Sequence, residues 1–173
     1  MKSKVIVVAI AVLSAAVIWL VDRPRVEADA AGCQASNRGM DAMEMREIQL
    51  LDAGGKLHVV EAHIADDGTE RAFGYQYICK QIIDRTAILF VYRAPIRGRF
   101  HMSNVKAPLD IGFFDASGLL IDQQLMRPYA DGESTLYSPD QDFQFALEAR
   151  QGYFTEHNLV VGKTRLVRQS VHD

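Results

Sequence analysis

The stretch RFHMSNVKAPLDIGFFD (residues 99–115) decides how this chain is interpreted, because it combines two strand-like runs with a polar bend. Ser103 and Asn104 lie in the bend, and Pro108 fixes its end by restricting the preceding residue to an extended conformation. Asp110 then falls inside an apolar run, where burial of an unpaired carboxylate is costly. The stretch therefore predicts two short strands whose connection contains partly buried polar groups.

Short apolar runs separated by turn signals continue on both sides of this stretch. Residues 86–93 (TAILFVYR) have no polar face, as in a central strand buried on both sides. Gly54-Gly55 separates two strand-like runs and predicts a hairpin. Asp67 with Glu70 forms a candidate capping box, which predicts the start of a short helix. The whole pattern indicates a mostly β fold with two short helices, arranged as a small antiparallel barrel or sandwich.

Composition indicates one globular domain and excludes several classes of partner. The chain has 173 residues, of which 49% are hydrophobic and 24% are charged, with a formal net charge of -3. These values are typical of a folded domain and differ from those of disordered chains. A nucleic-acid-binding surface would require a basic face, and no Walker loop or GxGxxG sequence is present. We therefore predict no nucleic-acid partner and no cofactor.

The N-terminus differs from the rest of the chain. Two lysines precede an uncharged apolar run over residues 5–21, and Ala28-Asp29-Ala30 forms an A-x-A cleavage pattern. Residues 1–30 are therefore interpreted as a signal peptide or an N-terminal membrane anchor, and both alternatives place the domain outside the cytoplasm. The expected location is the periplasm or the outer side of the inner membrane. Residues 31–45 are expected to form a flexible tether, and residues 46–173 a single mostly β domain.

The chain contains two cysteines, Cys33 and Cys79. In an oxidising compartment they could form a disulfide, although Cys33 lies in the expected tether. Alternatively, Cys79 is a small buried hydrophobic residue. The spacing does not decide between these interpretations.

Four motifs in order link the sequence to a known family. They are TERAFGYQY at 69–77, AILFVY at 87–92, FHMSNVKAPLDIGFFD at 100–115, and LEARQGYF with NLVVGK near the C-terminus. Over about residues 46–168 the chain resembles the domain of unknown function 192 family, an uncharacterised prokaryotic family. Tyr75, His101 and Ser103 replace the family's usual Leu, Trp and Lys. The resemblance implies a fold and an exported location, since many members carry an N-terminal signal or anchor, but it implies no activity.

A candidate binding groove follows from the polar residues of these motifs. Asp110 and Glu148 lie in apolar strands and need hydrogen-bond donors, for which Arg71 and Asn104 are available. We expect Asn104 and Asp110 to share one hydrogen-bonded cluster, with Arg71 or Glu148 nearby. The residues assigned to the groove are Arg71, His101, Ser103, Asn104, Asp110 and Glu148.

Two functions are compatible with such a groove. The first is a non-catalytic binding or accessory module of the cell envelope, whose partner is a small molecule or an envelope component. The second is a hydrolase that acts on envelope carbohydrate or peptide through Asp110 and Glu148, which would require the two carboxyl groups to face one cleft. The catalytic residues of such an enzyme are not identified by any nucleophile motif in the sequence.

Metal binding is not expected. His58 and His63 are five positions apart, so in an extended strand they point to opposite faces. No HExxH, HxxxH or CxxC pattern accompanies them. No feature of the sequence sets the oligomeric state.

Overall fold

The computed structural model describes residues 32–130 and 132–167. Within this part of the chain, nine strands form a seven-stranded sheet and a separate two-stranded pair. The order in the large sheet is β6-β5-β8-β3-β2-β1-β9, and β4 pairs with β7. The strands are β1 (Glu44–Leu51), β2 (Leu57–Ala65), β3 (Ile88–Ile96), β4 (Phe100–His101), β5 (Leu109–Phe114), β6 (Leu120–Met126), β7 (Leu136–Tyr137), β8 (Phe143–Arg150) and β9 (Arg165–Val167).

The large sheet is mixed because one of its strand pairs, β2 with β3, is parallel. A parallel pair requires a connection that crosses from one end of the sheet to the other. Residues 66–87 form this crossover, which contains α2 (Gly68–Phe73) and α3 (Lys80–Ile83). The helix α2 begins at the expected capping box, in which the side chain of Asp67 accepts from the Glu70 amide and Glu70 bonds back to the cap.

The antiparallel hairpins form where the local sequence predicts them. The β1–β2 pair turns at Gly54-Gly55, and Gly55 has a φ of 86°. The side chain of Asp52 accepts hydrogen bonds from the amides of Gly54 and Lys56, at 2.8 Å each, and so orders the turn. Strand β3 is central, between β2 and β8, as its continuous apolar run predicts.

The two faces of the large sheet are each covered by a hydrophobic cluster. One face, here called the crossover face, carries Phe90, Phe113 and Ala146 and packs against the crossover and β4. The other, called the α4 face, carries Leu89 and Leu147 and packs against the helix α4 (Tyr153–Glu156). Because side chains alternate along each strand, neighbouring residues of β8 contribute to different clusters.

The fold is mostly β and sandwich-like, and the described sheet does not close into a barrel. Strands β6 and β9 are its edges; an isolated bridge between Leu119 and Arg165 links them, and the amide of Gly162 donates to the carbonyl oxygen of Leu120 beside it. The β4–β7 pair and the crossover cover one face. The expected fold class is confirmed, although the described residues contain four short helices rather than two.

The segment expected to be a flexible tether is instead packed against the domain. Within residues 32–45, α1 (Arg38–Ala42) follows the N-cap residue Asn37, and Met40 and Met43 belong to the core. A disulfide joins Cys33 to Cys79, which decides the question that the sequence left open. Strand β1 begins at Glu44, before the expected domain start. The polar composition of this segment favoured a flexible tether, because the apolar contacts of its methionines form only with distant parts of the chain.

The proposed leader, residues 1–30, lies outside the described residues. Among the helices of residues 32–130 and 132–167, none has the length and hydropathy needed to cross a membrane.

Candidate functional site

A pocket of about 80 Å³ lies where the crossover meets β3, β4 and β8. We call it the Glu148 pocket, after its most deeply buried ionisable residue. Glu148 is 5% exposed, whereas Arg99 and His101 at the rim are exposed to solvent. The residues that line the pocket are Arg71, Ala72, Phe73, Gly74, Tyr75, Gln76, Phe90, Tyr92, Arg99, Phe100, His101, Val105 and Glu148.

Glu148 occupies the centre of the sheet. Its strand, β8, lies between β3 and β5, and its backbone pairs with Ile88 on one side and Ile111 on the other. The carboxyl group takes part in no hydrogen bond or ion pair of the described residues. Burial without a compensating donor raises the pKa of Glu148 to about 8. The group is therefore mostly a neutral carboxylic acid at pH 7.

The wall of the pocket opposite β3 is the turn that ends α2. Gly74 caps this helix with a φ of 44° and a ψ of -134°, a backbone conformation that side-chain-bearing residues rarely adopt. A Cβ atom at Gly74 would lie 3.5 Å from Cζ of Phe90 and 3.9 Å from Oε2 of Glu148. Those are ordinary contact distances, so the backbone conformation, rather than a lack of space, requires glycine here.

Three groups of contacts hold this wall in place. The side chain of Asn37 donates to the carbonyl oxygens of Gly74 and Gln76, at 2.9 Å each, while its own oxygen accepts from the α1 backbone. Tyr75 is buried in the core, and its hydroxyl lies 3.1 Å from Oγ1 of Thr86. The side chain of Asn104 donates to Oε1 of Gln76. The wall is thus fixed from the N-terminal segment, the core and the bend after β4.

Arg71 provides a positive charge beside the pocket. Its guanidinium carbon lies 5.0 Å from the ring centroid of Tyr92, and Nη1 donates to the carbonyl oxygen of Val91 at 3.1 Å. Stacking on an aromatic ring orients the planar guanidinium group, which carries five N–H donors. Because only one described hydrogen bond uses these donors, most of them remain available to a ligand.

The structure separates the six residues assigned to the groove. Arg71, His101 and Glu148 line one pocket, and Asn104 contacts it through Gln76. Ser103 is half-buried in the turn after β4 and does not line the pocket. Asp110 lies on the α4 face. His101 and Ser103, both assigned to the groove, are separated because β4 ends at His101 and strand geometry does not extend to Ser103.

The predicted cluster of Asn104 and Asp110 is wrong. Asn104 adopts a φ of 62°, which asparagine tolerates better than most residues, and its amide bonds to Gln76 near the surface. The carboxylate of Asp110 accepts from the backbone amide of Phe154 at 3.4 Å, at the start of α4. Burial raises the pKa of Asp110, and the backbone amides at the start of α4 partly oppose that rise. This contact links the start of α4 to strand β5.

Asp110 and Glu148 do not form the carboxylate pair that a hydrolase would need. In the β5–β8 register Asp110 pairs with Ala149, and Glu148 pairs with Ile111. Directly paired residues share a face and sequence neighbours do not, so the two carboxyl groups lie on opposite faces of the sheet. The pocket beside Asp110 is lined by Gln123, Gln124, Leu125, Gln151, Gly152, Phe154 and Thr155, and does not include Glu148.

The two strand histidines have separate environments. Nε2 of His58 lies 3.0 Å from Oδ2 of Asp52 at the β1–β2 turn. His63 is half-buried, its Nδ1 has no hydrogen-bond partner, and burial lowers its pKa. Within the part of the chain that the structure describes, no group of three or more His, Cys, Asp or Glu residues is placed to hold a metal ion.

The sequence did not identify several residues of the site. Gln76, Tyr92 and Arg99 line the pocket, and Asn37 supports its wall. The signal for Asn37 was present, because asparagine before RGMDAM is a favourable N-cap. Arg99 is the first residue of the stretch at residues 99–115, but no sequence pattern indicated that it lies near the crossover.

The fold and the pocket define a class of protein: a small domain built on a mixed sheet, with a buried glutamate facing a cleft between the sheet and its crossover. Residues 49–166 match the family DUF192, described as "Uncharacterized ACR". The match spans more than half of the chain, so this protein belongs to the DUF192 family, as the sequence motifs indicated.

Two solved structures are similar in fold. A candidate transcription regulator from Sinorhizobium meliloti 1021 is 20% identical, with a TM-score of 0.65, over 72% of this chain and 94% of the other. A protein of unknown function from Novosphingobium aromaticivorans is 19% identical, with a TM-score of 0.65, over 81% of this chain and 97% of the other. Identities this low support the fold alone. A search of curated proteins finds no match.

Proposed function

We propose that this protein is an exported cell-envelope domain that binds a small polar ligand in the Glu148 pocket without catalysing its conversion. The observation that carries the proposal is the carboxyl group of Glu148, which is buried in the sheet, faces a pocket and has no hydrogen-bond donor among the described residues. Buried polar groups of folded proteins nearly always have partners, so an exception at a pocket favours a role for a ligand.

The lining of the pocket supports binding rather than catalysis. It contains one carboxyl group and no Ser, Thr or Cys side chain. Acyl transfer needs a nucleophile with an adjacent base, and glycoside hydrolysis needs a second carboxyl group across the cleft. His101 is the one lining histidine, and neither it nor Glu148 has a described partner that would orient it as a general base.

Export is supported by the leader sequence and by the disulfide. Disulfides persist in oxidising compartments such as the bacterial periplasm and are rare in the cytosol. The bond between Cys33 and Cys79 attaches the N-terminal segment to the crossover, which forms the pocket wall. This arrangement agrees with a domain that folds outside the cytoplasm, either released or held at the outer side of the inner membrane.

The binding proposal is tested by a thermal-shift screen of the full-length protein with amino acids, sugars, peptidoglycan fragments and phosphate. A ligand at one hundred times its Kd stabilises the folded state by about 2.7 kcal/mol. Glu148→Gln is expected to remove or reduce the shift, because it changes the buried acceptor. The matched control Asp110→Asn, on the opposite face, should retain it. An equal shift in wild type and Glu148→Gln would place binding elsewhere and contradict the proposal.

Export is tested separately by thiol labelling of cell fractions. Cys33 and Cys79 should resist alkylation until a reductant is added, and the protein should appear in the periplasmic or inner-membrane fraction. Two reactive thiols in a chain recovered from the cytoplasmic fraction would contradict export and leave the binding proposal standing.

A further inference from the structure

The base of the Glu148 pocket is suited to a hydrogen-bond donor of the ligand. A protonated carboxyl group has one donor and remaining acceptor capacity, whereas the ionised form only accepts. In either form, Glu148 lacks the donors that would satisfy its oxygens, because no described side chain or amide supplies them. A cationic donor is favoured most, since bonds between charged partners are roughly twice as strong as neutral ones.

The rim of the pocket is suited to an anion. Arg71 and Arg99 both line the pocket, and neither forms an ion pair with any described carboxylate. Arg71 is held over the ring of Tyr92, so its position is fixed before a ligand arrives. Guanidinium groups bind carboxylates through pairs of parallel hydrogen bonds. The uncompensated positive charge of these two arginines therefore lies in the lining of the same pocket as the buried acid.

The volume of the pocket limits the ligand. About 80 Å³ is far below the roughly 300–1,000 Å³ of pockets that enclose drug-sized molecules. Only a group of a few non-hydrogen atoms fits inside, and the donor and the anion must be close together in the ligand. Aromatic residues, including Phe90, Tyr92 and Phe100, form much of the remaining wall and provide no further hydrogen bonds of comparable strength.

We propose that the Glu148 pocket binds a small zwitterion of the α-amino acid type, with its ammonium group on Glu148 and its carboxylate on Arg71 and Arg99. The inference rests on the proposed binding function and names the ligand class for the same site. A free amino acid with a small side chain places both charges within a few bonds of each other. Such a ligand provides a hydrogen-bond donor for the buried carboxyl group and an anion for the two arginines at the same time, whereas an amine or a carboxylate alone provides only one of these.

Binding of an ammonium group should release a proton. Burial raises the pKa of Glu148 to about 8, so at pH 7 most of the free protein carries the proton. An ammonium ion next to the carboxyl group favours the ionised form and lowers its pKa. The O–H bond of Glu148 then breaks, its proton goes to the buffer, and the ligand keeps its own protons. The expected release is a large fraction of one proton for each ligand bound at pH 7.

The test is isothermal titration calorimetry of the full-length protein with glycine, in buffers of different ionisation enthalpy at the same pH. The dependence of the measured enthalpy on the buffer gives the number of protons released. Methylamine and acetate serve as probes of the separate halves of glycine. Arg99→Ala removes one rim charge at an exposed position, and Glu148→Gln removes the titrating group. Asp110→Asn is the control on the opposite face.

Glycine should bind with release of nearly one proton, methylamine more weakly with a similar release, and acetate weakly with none. Arg99→Ala should weaken glycine about tenfold or more and leave methylamine unchanged, since a bond to a charged group is lost. Glu148→Gln should abolish proton release, while Asp110→Asn should not alter it. Glycine binding without proton release, or equal release in Glu148→Gln, would overturn the inference.

Failure of the ligand class is distinguishable from failure of the binding function. If glycine and other small amino acids do not bind but a sugar or phosphate stabilises the protein through Glu148, the zwitterion assignment is wrong and the binding site stands. If no probe of the wider screen acts through Glu148, both proposals are wrong.

Discussion

Replacement of Glu148 by glutamine should change how the stability of this protein depends on pH. Burial raises the pKa of the carboxyl group from an ordinary 4.5 to about 8 in the folded protein. Between these values the folded state holds a proton that the unfolded state has released. Stability therefore falls as the pH rises through this range, because the unfolded state binds fewer protons.

The size of the effect follows from the two pKa values. Each pKa unit corresponds to about 1.4 kcal/mol, so the interval between 4.5 and about 8 amounts to about 5 kcal/mol. Glutamine has nearly the same shape and does not titrate. The free energy of unfolding of Glu148→Gln, minus that of wild type, should therefore increase by about this amount from about pH 4 to about pH 9.

Urea unfolding of both proteins across this pH range measures the difference directly, since titrations common to both cancel. Asp110→Asn is the control, because Asp110 is less buried and is partly stabilised as an anion by the α4 backbone. Its stability difference should change less with pH. If wild type and Glu148→Gln lose stability in parallel as the pH rises, Glu148 is not buried as a neutral acid, and the basis of the proposed site is refuted.

Three further changes test the structure around the site by the free energy of unfolding. Replacing both Cys33 and Cys79 by serine should lower the free energy of unfolding by about 4 kcal/mol, because the disulfide closes a loop with a sequence separation of 46. Urea unfolding without reductant measures the difference, and an unchanged stability would mean that the bond is not formed. Asn37→Ala should lower the free energy of unfolding by about 1–3 kcal/mol, because two carbonyl oxygens of the pocket wall lose their donor. Asn37→Asp should not restore these hydrogen bonds, and an Asn37→Ala variant as stable as wild type would contradict the assigned contacts. Gly112→Ala should lower the free energy of unfolding by about 1–3 kcal/mol, because the added Cβ would lie 2.3 Å from Cε1 of Phe154. A variant that melts at the same temperature as wild type would mean that α4 is loosely packed.

Elements formed by local signals could be predicted from the sequence, and elements that depend on distant pairing could not. The Gly54-Gly55 turn and the capping box at Asp67 each follow from residues within one turn. The parallel pairing of β2 with β3, and the insertion of β8 between β3 and β5, join segments far apart in the chain. No short-range pattern specifies such neighbours.

The same limit explains the errors at the site. Asn104 and Asp110 are close in sequence and were expected to share a cluster, but each bonds to a distant element: Gln76, 28 residues away, and Phe154, 44 residues away. The face of the sheet on which a strand residue lies depends on the pairing register, and a shift of one residue in register moves its side chain to the other face. The carboxyl group of Glu148 could be singled out as an ionisable group in an apolar strand, but its place in one pocket with Arg71 depends on the crossover.

The position of β8 between β3 and β5 would make ligand binding at the proposed site a reporter of complete folding. In the described sheet, β8 joins the β5–β6 hairpin to the β1–β2–β3 unit with β9 by pairing with both β5 and β3. The other link between these two parts lies at the opposite edges, around the bridge between Leu119 and Arg165. Glu148 is on this joining strand, whereas Arg71 and Tyr92 belong to the earlier part of the chain. A partly folded chain in which β8 has not paired would thus have the part of the pocket that carries Arg71 but would lack the carboxyl group of Glu148. A ligand that needs both should selectively slow hydrogen exchange of the β8 amides, so such a ligand would also favour chains in which β8 has been inserted correctly.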